Sequence, residues 1–173
     1  AYIAIEEGNL DDRFIIGREI NEAYGSMIYL KEGQEVSLKS LLYGLMLRSG
    51  NDAAIAIAHH VSGSVDAFVS KMNEKAKQLG MTHTTFHNPS GLDEEDGGNL
   101  SCAYDMALLM SHAMKNETFV QIAGSKYYQS EWGSVWKNKN KLLFENNIVV
   151  AGKTGYTKKA GRTLVTSSHY QDI

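Results

Sequence analysis

The run Val149-Val150-Ala151-Gly152-Lys153-Thr154-Gly155-Tyr156-Thr157 constrains the fold more than any other stretch of the chain. A second strand-like run, Arg162-Thr163-Leu164-Val165-Thr166, follows it after a short turn rich in Lys and Gly. The β-branched residues in both runs and the polar link between them predict a hairpin. One of its strands then carries an ammonium, a hydroxyl and a residue without a side chain in series. Gly155 at a strand edge leaves room for a peptide-like ligand against the backbone. Lys153 and Thr154 could hold an anionic group there, such as a terminal carboxylate. Three residues also fit an ordinary hairpin lysine, so their meaning rests on the remaining chain.

Most of what precedes the hairpin is helical. Ala1–Gly8 reads as the tail of a helix, with a glycine stop and no cap or lead-in. Arg13-Phe14-Ile15-Ile16 and Ser26-Met27-Ile28-Tyr29-Leu30 suggest short extended pieces. Ser37 can cap a helix running through Arg48, with Leu38, Leu41, Leu42, Leu45 and Met46 as its apolar stripe. Ser49-Gly50-Asn51 breaks that pattern before Asp52 opens Ala53–Ala58, a run so small and apolar that it belongs near the centre. Ser64 caps a third helix, with Phe68, Met72 and Leu79 inward and Gly80 as its stop. Met81 to Leu100 carries loop signals, and loops of such length are often functional. Ser101 opens a further helix, and a shorter one spans Glu117 to Ala123. Lys126–Gln129 and Ser134–Lys137 are strand-like. The pattern predicts a single α+β domain over 1–173, with an antiparallel sheet flanked by helices and a mostly helical middle. Its sheet is expected to combine early and late segments.

Composition removes several classes of function. At 173 residues, 43% apolar and 21% charged, the chain is a globular protein with a sizeable core. A formal charge of −3 and the lack of a basic stripe argue against nucleic acid as a partner. No apolar run approaches the roughly 20 residues of a membrane span, and no signal peptide is recognised. One cysteine excludes an internal disulfide. No cofactor is expected.

Ser49-Gly50-Asn51 places a hydroxyl and a carboxamide between two apolar helices, where both can point into one space. Taken alone, Ser49 and Asn51 could equally cap the two helix ends. Penicillin-interacting serine enzymes carry Ser-x-x-Lys, then Ser-x-Asn, then Lys-Thr-Gly in that order. The chain has the second and third elements, in order and in the expected structural context. With Leu42–Ala54, Met72–Ala76, Leu79-Gly80-Met81, Phe86–Asp93 and Lys153–Thr157, it resembles the serine-type D-alanyl-D-alanine carboxypeptidases, the low-molecular-weight penicillin-binding proteins. The resemblance covers essentially all 173 residues.

The resemblance implies a DD-peptidase/β-lactamase-like fold and a transpeptidase-like domain. It implies hydrolysis of the terminal D-alanine of peptidoglycan stem peptides through an acyl-enzyme, acylation by β-lactam antibiotics, and a place outside the cytoplasm. By the same resemblance Ser49 relays a proton toward the leaving amine, and Asn51 orients the substrate amide. Lys153 and Thr154 hold the terminal carboxylate, Gly155 completes that motif, and the Tyr156 N–H forms half of an oxyanion hole. The Ser-x-x-Lys element is expected roughly half a dozen residues before Ala1, and further sheet and helix after Ile173, so the domain reads as incomplete at both ends. The alternative is a catalytically inactive module that binds wall peptides.

Other polar residues carry blander readings. Ser134-Val135-Trp136-Lys137 matches Ser-x-x-Lys, but on a strand i and i+3 face opposite sides. His83-x-x-x-His87 has helical metal spacing without a helical pattern or an evident third ligand, so no metal is expected. His59 and His60 suit a helix C-terminus. Glu95-x-x-x-Asn99 reads as solvated charge in a turn, and Cys102 as a small buried residue after a helix cap.

Overall fold

α3 (Asn51–Ser62) occupies the middle of the molecule because its inward side chains are small. Ala53, Ala56 and Ala58 are wholly buried and Ile57 nearly so, which lets neighbouring helices approach closely. Around it pack α1 (Tyr2–Glu7), α2 (Leu38–Tyr43), α4 (Val65–Gln78) and a 3-10 turn at Arg18–Glu22. The computed structural model describes residues 1–95 and 97–169. The continuation expected past Ile173 lies outside them.

Local chemistry sets the helix starts. The Ser37 and Ser64 hydroxyls accept from the N–H groups of Ser40 and Ala67, each at 3.1 Å. Asn116 does the same for α6 (Glu117–Gly124), accepting from Phe119 at 3.0 Å. α5 (Ala103–Ala113) starts one residue later than expected. Its cap is Cys102, whose Sγ accepts from the Asp105 N–H at 3.5 Å. Cys102 is therefore the cap itself, half-buried, and not a core residue behind one.

The helix expected from Ser37 to Arg48 changes character midway. After Tyr43 the chain widens into a π-turn, Gly44–Arg48, which ends with Ser49 in the left-handed region at φ 59 and ψ 45. Such widened turns accompany functional sites because they re-aim the residues that follow.

The fold is α+β, and its strands pair antiparallel with their sequence neighbours. β1 (Arg13–Ile15) pairs with β2 (Glu35–Ser37), β3 (Tyr127–Gln129) with β4 (Val135–Lys137), and β5 (Val149–Thr157) with β6 (Gly161–Ser168). Early and late segments share no sheet among the described residues, contrary to the sequence expectation. The extended piece Ser26–Leu30 shows one reason. Its Ile28 and Leu30 N–H groups each donate to the buried Asp52 carboxylate at 3.0 Å, so a side chain replaces a strand ladder. A short helix, α7 (Leu142–Glu145), leads into β5. α6 packs against β5 and α5 against β6, which fixes the hairpin to the helical body. No helix among the described residues is long and apolar enough to cross a membrane.

Candidate active site

Two backbone features bring Ser49 and Lys153 together. The π-turn and left-handed Ser49 project a hydroxyl from the junction of α2 and α3, and β5 brings Lys153 to meet it. The Lys153 ammonium donates to Ser49 Oγ at 2.5 Å and to the Thr154 carbonyl at 2.6 Å. An ammonium has three N–H donors, so one remains for a ligand. A serine at positive φ is uncommon, costing of order 1 kcal/mol or more, and such strain collects at functional positions.

Asn51, 6% exposed, opens α3. Its Nδ2 donates to the Tyr24 carbonyl at 2.6 Å, and its own N–H to the Ser26 carbonyl at 2.8 Å. The amide is held, with its carbonyl oxygen left as an acceptor. Thr154 is half-buried, whereas Gly155 and Tyr156 are exposed. Gly155 serves a purpose the sequence did not suggest: a Cβ there would stand 2.4 Å from Thr163 Oγ1 across the hairpin. Its missing side chain accommodates Thr163.

The electrostatics are one-sided. Burial, followed by the charge of Lys139, pushes Lys153 from the ordinary 10.5 down to about 8. Burial and then the charge of Arg48 lower Lys139 as well. Lys139 reaches Ser26 Oγ at 3.3 Å, and Arg48 reaches the Lys137 carbonyl at 3.5 Å. None of the ion pairs among the described residues includes Arg48, Lys139 or Lys153. Three neighbouring cations, none of them in an ion pair among the described residues, could together attract an anion.

A family described as D-alanyl-D-alanine carboxypeptidase matches residues 7–173. The chain belongs to that family. Similar proteins include the D-alanyl-D-alanine carboxypeptidase DacF of Bacillus subtilis, 41% identical over 148 residues, covering 83% of this chain and 38% of DacF. DacB2 of Mycobacterium tuberculosis is 37% identical over 168 residues, covering 95% of this chain and 57% of DacB2. The crystal structure of a D-alanyl-D-alanine carboxypeptidase from M. tuberculosis H37Rv superposes with a TM-score of 0.91 at 35% identity, covering 98% of this chain and 65% of that one. Penicillin binding protein 6B of Escherichia coli gives 0.87 at 32% identity, covering 98% and 56%. The chain thus spans only part of the carboxypeptidases it matches.

Around this site, the sequence alone did not single out Lys139, Arg48, Tyr24 or Ser26. Lys139 lies in a polar run without periodicity, and the other three gain meaning only from where the fold puts them. Asp52 does more than start a helix, since its carboxylate also ties down the Ser26–Leu30 segment that contacts Asn51.

The remaining polar residues have structural partners. His60 stacks on Phe14 at 3.8 Å and faces Asp12 at 3.4 Å. Asn99 Oδ1 accepts from the His87 and Asn88 N–H groups, bracing the long loop. Ser134 precedes β4 and Lys137 lies on it, 4.6 Å over the Phe144 ring, so no helical turn presents both. His83 pairs spatially with Cys102 and Asp105.

Proposed function

We propose that the protein carrying this chain removes the terminal D-alanine from peptidoglycan stem peptides by a serine acyl-enzyme route, outside the cytoplasm, and that β-lactams acylate it. The observation carrying this reading is the Lys153 ammonium, 2.5 Å from Ser49 Oγ in a cationic cluster without a carboxylate partner. A D-Ala-D-Ala terminus and a β-lactam share the carboxylate that would complete it.

In this reading the substrate carboxylate meets Lys153 and the Thr154 hydroxyl. The Asn51 carbonyl oxygen accepts from the substrate amide. A serine on a Ser-x-x-Lys turn attacks the penultimate carbonyl carbon, and the neighbouring lysine takes its proton. No helix among the described residues supplies that turn, so the nucleophile is assigned to sequence beyond them. As the C–N bond breaks, Ser49 passes a proton to the leaving amine, with Lys153 orienting its hydroxyl. The Tyr156 N–H stabilises the oxyanion together with the nucleophile's own N–H. Water then cleaves the ester, returning the serine and releasing the shortened peptide.

The test is mass spectrometry of the full-length protein after exposure to a fluorescent penicillin, together with D-alanine release from a D-Ala-D-Ala peptide. The expected result is one adduct, on a serine other than Ser49 or Ser134, with D-alanine released. An adduct at Ser49 or Ser134 would overturn these roles. Carboxylate binding with neither adduct nor release would make the protein an inactive wall-peptide-binding module.

A further inference from the structure

A second cluster of chemically apt side chains stands where the long loop leaves and rejoins the helical body. His83 precedes that loop, Cys102 follows it, and Asp105 sits in the first turn of α5. A ring nitrogen of His83, the Cys102 sulfur and a carboxylate oxygen of Asp105 all lie within 4.8 Å of one another.

The Asp105 carboxylate is wholly buried and only half satisfied. Its Oδ2 accepts from the His83 N–H at 2.8 Å and the Thr84 hydroxyl at 2.7 Å. Its Oδ1 is buried without a hydrogen-bond partner. The Cys102 thiol faces this carboxylate, but an S–H group is a weak donor. Leaving a buried carboxylate oxygen without a partner is costly, and a bound cation removes that cost. The fixed Oδ2 would then act as the oriented back of a metal ligand.

Cys102 suits the same purpose. As the N-cap of an eleven-residue helix, its sulfur is held at the helix start by the Asp105 N–H, on the same side as the Asp105 carboxylate. His83 is exposed, and Thr82 Oγ1 lies 3.1 Å from its Nδ1. We propose that His83, Cys102 and Asp105 form a three-ligand site for a divalent transition-metal ion, Zn2+ foremost, with water as the fourth ligand. A mixed N, S and O donor set selects such an ion over Ca2+ or Mg2+, which prefer all-oxygen sites. Tetrahedral zinc places its ligand atoms about 3.3–3.8 Å apart, so the three would draw closer than their observed spacing of up to 4.8 Å on binding. On binding, the thiol proton passes to solvent.

The ion would join the two feet of the loop, residues 84–101, beside the Thr85–Leu100 bridge. The far side of that loop touches the turn between β5 and β6. There the Lys159 N–H donates to Asp93 at 3.0 Å and its ammonium to the Glu94 carbonyl at 2.6 Å. A metal clip therefore steadies a loop that leans on the strand carrying Lys153.

The test is titration of chelator-stripped full-length protein with Zn2+ and with Co2+. The expected result is saturable uptake of one ion at this site, a thiolate-to-cobalt charge-transfer band, and a higher melting temperature with Zn2+. Cys102→Ser keeps a good helix cap and should abolish the band. His83→Asn alters an exposed ring and should weaken affinity about tenfold or more. Absence of the band in the unmodified protein, or a band and affinity unchanged in both variants, would overturn the site.

Discussion

Raising the pH from 7 to 9 should weaken carboxylate binding at Lys153 about tenfold. The ammonium is held near 8 by burial and by Lys139, so it is about 90% protonated at pH 7 and about 10% at pH 9. If only the protonated form holds a carboxylate, the apparent affinity follows that fraction. A lysine at its ordinary value would change by only a few per cent over the same range. Calorimetric titration of the full-length protein with an N-acylated D-alanine supplies the carboxylate without a scissile bond. Affinities within twofold of one another at pH 7 and pH 9 would refute the argument.

Stability should show the same titration. A depressed ammonium penalises the fold fully below pH 8, and the penalty fades as pH rises from about 8 toward the unfolded value of 10.5. The slope is therefore upward with pH, to a total of roughly 3 kcal/mol. Lys153→Met should remove that rise from a series of melting curves.

Lys139→Ala deletes a repelling charge, so the Lys153 midpoint should move upward, visible as a shift of the same binding profile to higher pH. Ser49→Gly should relieve about 1 kcal/mol of left-handed strain, raising the melting temperature by roughly 2–4 °C while penicillin acylation slows about a hundredfold or more. Equal acylation rates would remove Ser49 from the reaction. Asp52→Ala strands the Ile28 and Leu30 N–H groups and should cost about 2–4 kcal/mol in denaturant titration. Gly152→Ala puts a Cβ 2.6 Å from Asn140 Nδ2 and 2.9 Å from the Val165 carbonyl, so about 1–3 kcal/mol should be lost in the same assay.

The sequence was legible where the physics is local. Ser37 and Ser64 announce their helices because a hydroxyl three residues ahead of a free N–H needs no help from the rest of the fold. The hairpin is similarly self-contained. Cys102 is hard to place because sulfur is an unusual cap, and Ser101 offers the better hydroxyl beside it. The pairing of β1 with β2 was hidden because Glu35–Ser37 shows little strand character, and its partner choice depends on distant packing. Motif order could nominate Ser49, Asn51 and Lys153, but it gave no hint of Lys139. That cation matters only because folding sets it beside Lys153, and no spacing rule encodes such proximity.

Strain and desolvation also coincide in a way that sequence cannot display. Ser49 holds an unfavourable backbone conformation, and 2.5 Å away Lys153 holds a charge pulled out of water. Each costs stability on its own, and relaxing either would be easy: glycine at one position, an apolar residue at the other. Only three buried side-chain polar atoms lack partners among the described residues, so the fold otherwise satisfies its groups with care. One of the three, Asn140 Nδ2, lies against Gly152, behind the strand that carries Lys153, and another, Asp105 Oδ1, belongs to the inferred metal cluster. The third, Ser62 Oγ, lies apart from both, as does the left-handed Tyr29, so neither kind of feature marks a site by itself. Strain beside a desolvated ammonium at Ser49 and Lys153, and an orphan carboxylate oxygen beside a thiol and an imidazole at Asp105, are the coincidences that fit the proposed anion and the proposed cation.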